Sequence, residues 1–131
     1  MDRRDSTARQ GAGVVRRADD VERKTVRAGS ATETQVLIGP EDGAPNFALR
    51  RFVMGPGGGM PRHTNTVEHE QYVLCGRARV RIGDDVHEVE RGNVLYIPAG
   101  APHSYEVVEA PFEFLCIVPN AEDLIEIVAE D

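Results

Sequence analysis

Tryptophan is absent from this chain, and only three tyrosines and four phenylalanines are present, so its core must lean on Val, Ile and Leu. Positive charge is also in deficit: 15 Lys plus Arg stand against 22 Asp plus Glu, for a formal net charge of −7. A nucleic-acid binder normally carries a basic stripe, so no nucleic-acid partner is expected. Cysteine is scarce. Cys75 and Cys116 lie far apart with no CxxC partner and read as small residues, not as a disulfide framework. No apolar run approaches the roughly 18 residues that span a bilayer, which excludes a membrane helix. The pairs Arg3-Arg4 and Arg16-Arg17 precede no apolar stretch, so the expectation is a cytoplasmic protein without an export signal.

What the chain does have is glycine (13) and proline (8), the residues of tight turns. Residues 1–30 are rich in Arg, Asp, Ser, Thr and Gly with isolated valines, and are expected to be disordered or a loosely held N-terminal arm, with at most a short helix over Arg16–Arg27. Residues 31–131 form the folded domain. Strands are expected at Gln35–Ile38, Phe47–Met54, 71–75, Arg77–Ile82, Val86–Glu90, Val94–Ile97, Ser104–Val108 and Phe112–Val118. The run Gly55-Pro56-Gly57-Gly58-Gly59 is expected to end the second of these. Arg77, Arg79 and Arg81 alternate with Ala78, Val80 and Ile82, the period of a half-buried antiparallel strand. Short strands at intervals of about ten residues mean a sandwich or barrel. The tail from Asn120 is read as a short acidic helix or a frayed end.

Three of the four histidines fall in two Gly-marked β-motifs. The first, PRHTNTVEHEQYVLCG, runs from Pro61 to Gly76 and carries His63 and His69; the second, GNVLYIPAGAPHSYEV, runs from Gly92 to Val107 and carries His103. On an extended segment, side chains two apart share a face, so His63 and Asn65 point the same way. Three imidazoles and one amide oxygen then face one point from two hairpins. This set is neutral and lacks the thiolates of a closed structural zinc site. It suits an open site for Mn, Fe, Co, Ni, Cu or Zn, among which affinity order does not choose. Asn65 reads equally well as a turn residue bonded to its own backbone. His87 has no motif role.

The two motifs resemble those of the cupin superfamily, G(x)5HxH(x)3–4E(x)6G and G(x)5PxG(x)2H(x)3N. Gly57, His63 and Gly76 match the first, and Gly92, Pro98, Gly100 and His103 the second. Asn65 stands where a second His is expected, His69 where Glu is expected, and Val107 where the last Asn is expected. The run EHEQYVL, with VLIGPEDGAPNF (Val36–Phe47) and FEFLCIVP (Phe112–Pro119), is similar to small single-domain cupins in which four histidines hold manganese or another divalent ion.

The resemblance implies an all-β, double-stranded β-helix (jelly-roll) barrel whose metal ligands are His63, Asn65, His69 and His103. Strand parity puts Gln71 on the face of His69 and Tyr105 on that of His103, and the family match turns Arg50, Phe114 and Cys116 toward the same substrate cavity. Arg50 would be the one fixed charge there, suited to a carboxylate or enolate. The implied function is a metal-dependent, dioxygenase- or oxidase-like enzyme on a small organic acid or carbonyl compound. A non-enzymatic small-molecule binding or sensing module, and a metal-dependent sugar-acid isomerase or lyase, are the alternatives. A homodimer is expected, because pairing covers open sheet edges.

Overall fold

Alternation of side chains builds the molecule. In strand β4 (His69–Ile82), Ala78 and Val80 are completely buried while Arg77 and Arg79 face outward. The outer arginines meet glutamates of neighbouring strands: Arg77 lies 3.0 Å from Glu88 and 3.1 Å from Glu109, and Arg79 lies 2.7 Å from Glu106. Exposed pairs of this kind add little stability, but opposite charges facing each other favour this register over its neighbours.

The computed structural model describes residues 12–129, and no helix among them is long and apolar enough to cross a membrane. Strands β1 (Lys24–Thr25), β2 (Ser30–Ile38), β3 (Phe47–Asn65), β7 (His103–Pro119), β4 and β5 (Asp85–Glu90) lie side by side in that order, all antiparallel. Strand β6 (Val94–Ile97) adds to β4, and β8 (Ile125–Ile127) adds to β3. Strand β7 is shared, pairing with β3 along one side and β4 along the other. The fold is the jelly-roll barrel that the sequence predicts.

The interior is less aliphatic than composition suggests. Met54, Val73, Val80, Ile97, Phe112 and Cys116 are each at most 1% exposed, so Met, Cys and Phe fill much of the space expected of Val, Ile and Leu.

Several expected strand ends do not exist. Phe47–Asn65 is one strand, running through the Gly55–Gly59 stretch that was expected to break it. His69–Ile82 continues through Gly76, and His103–Pro119 joins two expected strands. The reason is that glycine at positive φ lets a strand bulge and bend without giving up its partners. Register shifts fall between Met54 and Gly59 of β3, and around Cys75 in β4 where Gly76 sits at φ 78°.

Residues 12–29, expected within a loose arm, are tied to the sheet, with Val26 packed against the core. Only a 3-10 turn at Ala18–Asp20 lies within the Arg16–Arg27 stretch expected to hold at most a short helix. Gln35 Nε2 donates to the carbonyls of Ala18 and Val21, both at 2.8 Å, Arg16 pairs with Asp42 at 2.6 Å, and β1 pairs with β2. Residues 1–11 lie outside the described residues. The tail is not a helix: His63, Thr64 and Asn65 pair with Ile127, Glu126 and Ile125 of β8.

Two glycine substitutions separate strain from collision. A Cβ on Gly83 (φ 60°) meets nothing within 4 Å, so Gly83→Ala should cost only the left-handed penalty of about 1 kcal/mol. A Cβ on Gly76 would stand 2.1 Å from the Pro111 carbonyl oxygen. Gly76→Ala should therefore cost more than about 3 kcal/mol, read from urea unfolding midpoints of the two variants.

Candidate metal and ligand site

Period-two burial carries straight through the first motif. His63, Asn65, Val67, His69 and Gln71 are all buried, so the end of β3 and the start of β4 present them to one interior. The antiparallel register sets His63 directly opposite His103 of β7. Their ring centroids are 4.2 Å apart, and that of His69 lies 5.9 Å from that of His103. His103 therefore has the rings of both His63 and His69 as neighbours.

Their protonation follows from their surroundings. A backbone carbonyl faces the Nδ1 of two of the rings: Pro61 O lies 2.7 Å from His63 Nδ1, and Ala101 O 2.9 Å from His103 Nδ1. A carbonyl only accepts, so each Nδ1 carries the proton and each Nε2 carries a lone pair. Burial holds His103 at a pKa of about 4. Burial, with the charge of Arg50 and the proximity of His103, holds His69 at about 4 as well. His63 is lowered by burial too. All three rings are neutral at pH 7, the state in which imidazole binds metal.

Orphaned atoms test the fit to a metal. His69 Nε2, His103 Nε2 and Asn65 Oδ1 are buried without a hydrogen-bond partner. Buried acceptors of this kind are costly, and here they are three of the four expected donor groups. Among the described residues, no three His, Cys, Asp or Glu side chains stand in an arrangement that would by itself hold a metal ion. The donors suit a divalent ion by their chemistry and burial.

These groups open onto a cavity of about 330 Å³. Arg50, Gln71, Tyr105 and Phe114 line it as expected. Cys116 does not. It is completely buried behind them, its Sγ 3.6 Å from Gln71 Nε2 and 3.7 Å from an Arg50 nitrogen, because it faces a barrel layer already filled by those longer side chains. Burial raises its thiol pKa, so it is a packing residue and a poor nucleophile. Tyr105 donates to Gln71 Oε1 at 3.0 Å, and burial raises its pKa, keeping the phenol protonated. Phe52, Phe114 and Tyr105 form a nearly parallel stack with centroids 5.1 and 5.3 Å apart, and the Arg50 guanidinium lies 5.1 Å from the Phe52 ring centre.

Arg50, expected to be the one fixed charge here, has company. Lys24 of β1 and Asp123, just before β8, also line the cavity. Both come from segments read as arm and tail, so motif spacing gave no access to them. The Ile125-Glu126-Ile127 alternation was the one available sign that the tail is a strand.

The Cupin domain family matches residues 50–118, just over half of the chain. Oxalate decarboxylase OxdC of Bacillus subtilis is 29% identical over 103 residues, which cover 75% of this chain and 26% of that protein, so the chain spans about a quarter of its length. The solved structure of the polyketide cyclase RemF from Streptomyces resistomycificus is similar over 92% of this chain and 88% of its own, at 30% identity and a TM-score of 0.83. A cupin-2 domain protein of Rhodospirillum rubrum shares the fold over 89% of this chain and 81% of its own, at 24% identity and a TM-score of 0.76.

The lowered histidines make the metal-free protein acid-sensitive. An unfolded chain protonates these rings near 6.5, whereas the folded chain holds His69 and His103 neutral down to about 4. Their contribution is fully present above pH 6.5 and is lost as pH falls toward 4, because the unfolded state then binds more protons. Thermal unfolding in chelator should show Tm falling across that window, and His69→Gln should flatten the fall. Parallel curves for parent and variant would rule out this cause.

Proposed function

Because this chain belongs to the cupin family, we propose that it is a metal-dependent enzyme acting on an organic acid or carbonyl compound with a flat apolar body. His63, His69 and His103 would hold a divalent transition metal, with Asn65 Oδ1 as a further donor. The carrying observation is that two buried imidazole Nε2 atoms without partners belong to rings lining an aromatic cavity. When bound, the ion supplies Lewis acidity to a carbonyl or carboxylate oxygen.

The chain's own residues define what enters. Arg50 offers a guanidinium whose Nε has no partner, suited to a carboxylate or enolate at the inner end. The Phe52–Phe114–Tyr105 stack gives a flat wall and keeps water away. Tyr105, protonated, orients as a hydrogen-bonding group and takes no part as a base at neutral pH. A cavity of about 330 Å³ falls within the range of about 300–1,000 Å³ for ligand pockets and is roomy for a two-carbon diacid. The similarity to a polyketide cyclase supports a ring-sized carbonyl substrate over one the size of oxalate.

Dioxygenase- or oxidase-like chemistry is the second reading. A neutral three-imidazole donor set favours it, since such a set leaves an ion open positions for substrate and O2. The test begins with elemental analysis of protein purified without chelator, which should find about one first-row divalent ion per chain. Well under that, with no uptake of added metal, would overturn the proposal. Turnover with redox-inert Zn(II) and no oxygen uptake would support carbonyl polarisation. Oxygen consumption with Fe(II) or Mn(II) would support the second reading, and ligand binding without turnover the sensing alternative.

A homodimer belongs to the same reading. Leu49, Tyr72, Val94, Tyr96, Leu115 and Ile117 line a continuous groove on the outer face of the sheet. Val94 is 73% exposed and Tyr96 58%. A second copy is the natural cover for such a patch. Light scattering should give twice the 14.4 kDa chain mass, and Tyr72→Glu with Tyr96→Glu should halve it. A parent mass of one chain would refute the dimer.

A further inference from the structure

We propose that Asp123 supplies an anionic oxygen ligand to the metal held by the histidines, returning from the C-terminal end of the barrel the carboxylate that the first motif lacks. The inference rests on the metal-dependent reading above and adds to it a residue outside both motifs. In the first motif, the position expected to be Glu is His69, and every donor there is neutral. Asp123 is the one Asp or Glu among the described residues lining the cavity.

Its geometry is that of an oriented donor. The Thr66 backbone N–H donates to Asp123 Oδ1 at 3.1 Å. Asn65 Nδ2 donates to Oδ1 at 3.3 Å and to Oδ2 at 3.1 Å. Oδ2 stands 3.9 Å from His69 Nε2, too far for a hydrogen bond. Two donors each about 2.1 Å from one ion stand roughly 3 to 4.2 Å apart, so this spacing is one that a shared ion spans. His69 is 6% and His103 1% exposed, and the Nε2 of each is unpartnered.

Charge argues the same way. Three neutral imidazoles would leave both charges of a divalent ion uncompensated in a cavity that Arg50 and Lys24 also line, and one carboxylate offsets one charge. The main chain at Asp123 is fixed without help from its carboxylate. Thr66 Oγ1 donates to the Glu122 carbonyl at 3.0 Å and accepts from the Leu124 N–H at 2.9 Å, and β8 pairs with β3 immediately after. Asn65 then has a second role that its motif position does not suggest: its amide holds the carboxylate and leaves its own Oδ1 free.

The experiment uses Mn(II) and the full chain. Asp123→Asn keeps an oxygen that can accept from Thr66 N–H, so the fold should be retained, with the metal-free Tm close to the parent. Mn(II) affinity should fall by about tenfold or more, and water proton relaxivity per bound Mn(II) should rise by the increment of one added inner-sphere water. Unchanged affinity would overturn the proposal. So would a weaker affinity with unchanged relaxivity, which would make Asp123 a group acting from outside the coordination sphere. The parent offers a check independent of any variant: with 13C-labelled aspartate carboxylates, Mn(II) loading should shift one carboxylate infrared stretch, and no shift would refute ligation. A parent that binds no Mn(II), Fe(II) or Zn(II) would bring down the metal reading itself, and this inference with it.

Discussion

Everything at the site depends on the register of β7 between β3 and β4. That strand is hydrogen-bonded on both sides, so its alignment fixes which residues of three strands share the interior. With His63 opposite His103, the inward positions of all three strands fall into one layer. A slip of one residue would turn His103, Tyr105, Phe114 and Cys116 to the outside together. The core and the site are therefore set by one choice.

That choice carries an energetic burden. Three imidazoles, three amides, a threonine and a phenol lie buried in an otherwise apolar interior. Some of these polar groups satisfy one another: Tyr105 donates to Gln71, and Gln71 and Arg50 converge on the sulfur of Cys116. Others do not. Asn65 Oδ1, His69 Nε2 and His103 Nε2 are unpartnered together at the histidine end of the cavity, as polar groups turned toward a ligand would be.

The fold was largely legible because alternation and turn residues report directly on strands. The Arg77–Ile82 pattern and the two motifs stand in the structure as they read in the sequence. Strand continuity was not legible. Gly55–Gly59 and Gly76 look like breaks in one dimension, yet in the sheet they are bulges, because the neighbouring strands supply partners across them. Cys116 shows the converse limit. Its parity is correct and it faces inward, but longer side chains stand between it and the cavity.

By itself the sequence determined the alternation of Arg77–Ile82, a two-residue period being a local property, and through the motifs' resemblance to cupins it implied the barrel and the meeting of His63, His69 and His103. The tertiary structure decided what surrounds them. Lys24 and Asp123 reach the cavity only because β1 and β8 add to strands far away in the chain, and Asn65 turns its amide toward Asp123 only because that addition brings the carboxylate within 3.1 Å. Edge pairing of short segments leaves almost no trace in sequence, because its hydrogen bonds come from the backbone, which every residue except proline can supply in full.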